Sequence, residues 1–169
     1  MSARKNRTMI ASLVAMLLLM SCDSHKQPEP SHDVTAFNQL IALDFPVKKV
    51  AWEIFGTPEY IGGIPGPTDY LTLVAEIEPE GSETFTSFPP LTTKAWIAPE
   101  SARPWLDSDF HAFLSQYKNR TVDAMMAPRC RSVEAVLRKS GRPVAGLACQ
   151  GSRNILIYVT VSDNTGHTP

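Results

Sequence analysis

Along residues 70–78, YLTLVAEIE, four residues (Leu71, Leu73, Ala75 and Ile77) alternate with Tyr70, Thr72, Val74, Glu76 and Glu78. A repeat of two places the sets on opposite faces of a β-strand. The same repeat carries Val50, Trp52 and Ile54 in 47–55 and Ile155, Ile157, Val159 and Val161 in 154–162. Pro143 to Gln150 is the strand before the last, since Gly151-Ser152-Arg153-Asn154 has the composition of a hairpin turn. TKAWIA at 93–98 adds a shorter strand.

Helical spacing falls elsewhere. Val34, Phe37, Leu40 and Ile41 share one face of a helix that Asp33 caps and that stops before Pro46. Trp105, Leu106, Phe110, Phe113, Leu114 and Tyr117 form a broad stripe over 104–118, with Pro104 at a first helical position. Ser132 reads as the cap of a second short helix, VEAVLRKS, which Gly141 closes. Helix, two or three strands, two helices and two strands predict an α+β domain over 34–162. Its expected form is an antiparallel sheet of four to five strands with helices packed mainly on one face. Residues 163–169 read as a disordered tail.

The first 22 residues follow another logic. Arg4, Lys5 and Arg7 precede an apolar run over 9–20 that is too short to span a bilayer, which takes roughly 20 apolar residues. That is the build of a signal peptide. The run ends in Leu19-Met20-Ser21-Cys22, which resembles the lipobox of bacterial lipoproteins. The resemblance implies cleavage of 1–21, acylation of Cys22 and anchorage in an envelope membrane facing the periplasm. Asp23 resembles the signal that keeps enterobacterial lipoproteins in the inner membrane. The plainer alternative is a secretory signal with an incidental cysteine. Residues 22–33 carry Pro28 and Pro30 and read as a lipidated flexible tether. His25, His32 and Asp33 lack the preorganisation of a metal site there, and no cofactor is expected.

Removing 21 of 169 residues leaves 148, enough for one domain. Of 16 basic residues three lie in the head, leaving 13 against 17 acids and a net charge of −4. The charges are unevenly placed: ten acids against Lys94 and Arg103 over 53–109, and eight bases against Asp123 and Glu134 over 118–153. Such asymmetry marks either an interaction surface or two segments whose charges interleave. Nucleic acid is excluded as a partner by export. With Cys22 acylated, Cys130 and Cys149 make an even pair in an oxidising compartment, which predicts a disulfide. The alternative is a reactive Cys130 thiolate between Arg129 and Arg131.

No sequence pattern for a nucleophile elbow, zinc protease or phosphate loop is present. An envelope-acting hydrolase would need a non-standard site drawn from Asp109, His111, Glu76 or Cys130. Two proline-stiffened loops offer a different chemistry. Residues 57–69 hold Tyr60, Ile61 and Ile64, and residues 79–92 hold Phe85 and Phe88. Long loops bearing rigid aromatics suit interface anchoring, unless Phe85 and Phe88 fold back to extend the core. The leading expectation is a non-catalytic protein-binding module, of the immunity type or an accessory of an envelope machine, partnered by an envelope or incoming protein.

Overall fold

The alternation at 70–78 builds β3 (Tyr70–Pro79), which pairs with β2 (Val47–Thr57) on one side and β8 (Ile155–Asp163) on the other. The computed structural model describes residues 29–58, 70–81, 84–92 and 94–163. Within them β8 continues to β7 (Arg142–Gln150), then β6 (Cys130–Leu137), then the two-residue β1 (Ile41–Ala42). The result is a six-stranded antiparallel half-barrel, joined by a small sheet of β4 (Ala95–Ile97) and β5 (Arg120–Val122). Among the described residues three short helices join the sheets: α1 (Val34–Leu40), α2 (Thr84–Ser87) and α3 (Ser108–Tyr117).

The protein is therefore mostly β, which corrects the expected α+β domain of four to five strands with helices on one face. Apolar residues at both parities of the central strands explain the difference. Leu73, Ala75 and Ile77 point to an inner core with Val50, Ile157 and Phe37 of α1. Val74, Leu156 and Tyr158 point to an outer core beneath Ile97, Phe110, Leu114 and Val122. A sheet buried on both faces needs two covers, and here α1 provides one while the β4–β5 sheet and α3 provide the other.

The expected helix after Ser132 is the strand β6. Ala, Glu, Leu, Arg and Lys favour helix locally. Pairing wins, because Val133 and Ala135 bury into the inner core while Glu134 and Val136 turn outward. Cys130 stands directly opposite Cys149 on β7 and is disulfide-bonded to it, as the even count predicted. The helix expected over 104–118 begins only at Ser108, with Asp107 as its cap accepting from the Asp109 amide at 3.0 Å. Pro104 and Trp105 lie in a turn instead, held there by the contacts of Arg103 and Trp105 described below. Asp33 caps α1 as expected, its carboxylate accepting from Ala36 N at 2.9 Å.

Two relationships shape the sheet's margins. Ser31 forms a β-bridge to Trp52 at the β2 edge, and Ile41–Ala42 pair with Leu137 and Val136 at the β6 edge, so one short segment reaches both edges. The β7–β8 ladder ends at Gly146–Val159, whereas the β6–β7 ladder runs on to Leu137–Arg142. The last four pairs of β6–β7 thus extend as a ribbon without β8 beside them.

Candidate interaction surfaces

The outer cover is fixed by buried charge. Arg103 meets Glu53 of β2 through two hydrogen bonds, Nε on Oε2 at 3.0 Å and Nη2 on Oε1, with both side chains about nine-tenths buried. Trp105 Nε1 donates to the same carboxylate at 3.1 Å, and the guanidinium lies 4.3 Å from the Phe55 ring centre. Breaking such a pair strands a charge in low dielectric, which is why it clamps. Beside it, the Tyr158 hydroxyl donates to Trp96 O at 3.0 Å and accepts from Ala98 N at 2.8 Å. Burial raises the Tyr158 pKa above its ordinary 10.0, against the opposing effects of hydrogen bonds from Ser101 and the Ala98 amide.

The expected site residues fall unevenly. Cys22, Asp23, Tyr60, Ile61 and Ile64 lie outside the described residues. Phe88 is only 8% exposed, packed against Phe45 in the inner core, and Phe85 is half-buried beside it. Arg131 fastens this segment by donating to Phe88 O at 2.8 Å and lying over the Phe85 ring. The two phenylalanines therefore extend the core and do not stand at a loop tip. The scattered catalytic candidates are engaged separately. Cys130 is in its disulfide. Glu76 accepts from the Asp107 amide and from Asn154. Asp109 faces Arg129 at 3.7 Å. His111 is exposed on α3. His32, at the end of the tether, bonds through Nδ1 to Val50 O at 3.1 Å.

A contiguous apolar exposure appears where the pattern had pointed inward. Ile54 and Leu71 lie on the inner-face side of β2 and β3, yet are 37% and 38% exposed. Ile54 pairs with Leu73 and Leu71 with Gly56, so the two are diagonal neighbours across one ladder. They sit where the strands run into the connection between Thr57 and Tyr70. The alternation correctly gave Ile54 its face; sequence held no sign that the inner cover stops short of it.

Two of the hollows among the described residues lie elsewhere. An open cleft of about 1050 Å³ at the β7–β8 turn is lined by Lys48, Lys49, Glu78 and Arg153 among others. Its charges largely neutralise one another, since Glu78 accepts from Lys48 at 2.6 Å and from Lys49 at 3.0 Å. Hydrogen bonds from those two ammoniums lower the Glu78 pKa, and the same bond raises that of Lys48. A smaller apolar hollow of about 110 Å³ lies between Phe110, Met126 and the disulfide, room for one small side chain.

Among the described residues Arg129–Asp109 is the single ion pair joining the acid-rich 53–109 to the basic 118–153. No family model, no curated protein and no solved structure matches this chain.

Proposed function

We propose that the protein is a lipid-anchored envelope protein that acts by binding another protein, with Cys22 carrying the acyl chains and Asp23 favouring the inner membrane. Facing the periplasm, it would take an envelope protein or an incoming one as its partner, in the manner of an immunity protein or a machine accessory. The anchor is supported by the basic head, apolar run and Leu-Met-Ser-Cys box of the sequence. The observation that carries the binding reading is the exposed pair Ile54 and Leu71. They flank the root of the segment that contains Tyr60, Ile61 and Ile64, so apolar anchors from strand and loop stand close along the chain. Neighbouring exposed apolar side chains on one sheet face suit a partner's hot-spot residues.

Two measurements test the parts separately. Cys22→Ala should abolish labelling by an alkyne fatty acid and leave uncut precursor; retained labelling contradicts the anchor. Ile54→Asp with Leu71→Asp should remove the partner adducts formed by cross-linking in intact cells while leaving the fold stable. Undiminished adducts would contradict this face as the binding surface.

A further inference from the structure

The β6–β7 ribbon beyond Gly146 carries Arg138, Lys139 and Arg142 around its turn and a single acid, Glu134. None of the three cations makes an ion pair among the described residues. On the ribbon's outer face Val136 is 41% exposed, and Pro143, its cross-strand partner, and Ala145 are exposed as well. A turn with cations around it and small exposed apolar groups on the outer face behind them matches a lipid–water boundary, with phosphates at one depth and acyl chains at the next.

We propose that this tip rests on the anionic lipid surface to which the protein is fastened, an inference that rests on the lipid-anchored reading of the chain. Tether length makes the contact reachable. From Cys22 to the Ser31 bridge there are nine residues, which span at most about 30 Å. From there the seven residues of α1 cover about 10 Å. They end at Leu40, whose carbonyl accepts from the Arg138 amide at 3.0 Å. The turn end of the ribbon is thus held at the far end of the segment that the anchor leads into, where Ile41 and Ala42 also pair with Leu137 and Val136. A tether of at most about 30 Å keeps the membrane within reach of the domain's surface, and the grouping of Arg138, Lys139 and Arg142 at one turn beside exposed Val136 and Pro143 points to this face. Docking there would orient the domain on the bilayer and fix which of its other surfaces face the periplasm.

The test uses the mature acylated protein with Ser140→Cys labelled at the turn by an environment-sensitive fluorophore, the native disulfide kept intact. It is reconstituted on vesicles of phosphatidylcholine alone and on vesicles of equal parts phosphatidylcholine and phosphatidylglycerol. A blue-shifted emission on the anionic vesicles only, reversed in molar salt where the screening length falls to about 3 Å, is the expected result. Arg138→Gln with Lys139→Gln and Arg142→Gln should weaken the contact on the order of 100-fold while the protein still floats with the vesicles. Water-like emission on anionic vesicles with flotation intact overturns the proposal and leaves the anchor standing. A shift caused by poly-glutamate and not by phosphatidylglycerol assigns the tip to an acidic protein and also overturns it. Failure to float, with no acyl mass on the amino-terminal peptide, removes the anchor reading and the tether argument together.

Discussion

Ser31 and Trp52 exchange both backbone hydrogen bonds of a β-bridge, Ser31 N to Trp52 O at 2.8 Å and Trp52 N to Ser31 O at 2.9 Å. The Trp52 indole adds a third bond, to Asp33 O at 3.2 Å. Ten residues beyond Ser31, Ile41 pairs with Leu137 at the opposite edge. The stretch nearest the proposed anchor therefore also caps parts of both free edges of the half-barrel, where bare strands invite unwanted pairing.

Ser31→Pro removes the amide that Trp52 O accepts. The expected loss is about 1 kcal/mol of stability, and hydrogen exchange at the Trp52 amide should quicken well before global unfolding. Unchanged exchange at Trp52 would show that the bridge does not hold the edge.

Glu53→Ala removes the buried carboxylate to which both the Arg103 guanidinium and the Trp105 indole donate. A destabilisation of about 3–5 kcal/mol is expected, read by urea unfolding. Trp105 fluorescence should report loosening of the outer cover. Removing the exposed Glu78 carboxylate by Glu78→Gln should cost far less, because its two lysines remain solvated.

These contrasts show what was legible in the sequence. The strands at 47–55, 70–78, 143–150 and 154–162 announced themselves because their alternation and turn residues agree. β6 did not, since VEAVLRKS satisfies helix preference as well as a two-residue repeat, and only the neighbouring strand decides. One signal was present: Cys130 and Cys149 are equally spaced about the Ser140 turn region, as a cross-strand pair in a hairpin must be. The clamp of Glu53 on Arg103 spans 50 residues and left no local trace. Phe85 and Phe88 looked like loop aromatics because nothing nearby in the chain reveals that Phe45 and Arg131 meet them.

Gly146 marks the point where β8 parts from β7. A Cβ there would lie 1.9 Å from Tyr158 O, a backbone atom that cannot swing aside. Gly146→Ala should therefore cost about 1–3 kcal/mol, the usual effect of overpacking, and should broaden amide signals from both strands at this pair. An unchanged melting temperature would mean that the ladder opens here without penalty.

Tyr158 links stability to alkaline pH. Its buried phenol stays protonated above the ordinary 10.0, so below pH 10 folded and unfolded chains carry the same proton. Above pH 10 the unfolded chain releases it first, and stability falls as pH rises. Tyr158→Phe should flatten that decline. At neutral pH it should cost about 1–3 kcal/mol, because the Ala98 amide loses its buried acceptor. A decline of equal slope in the Phe variant would contradict the assignment.

The binding account is tested most directly by placing a photo-crosslinking amino acid at Ile54 in cells that make the full chain. Irradiation should yield a discrete adduct of partner plus protein from Ile54, and none from the same residue at exposed His111 on α3. Adducts from His111 with none from Ile54 would contradict the claim that the protein acts through the apolar pair of β2 and β3.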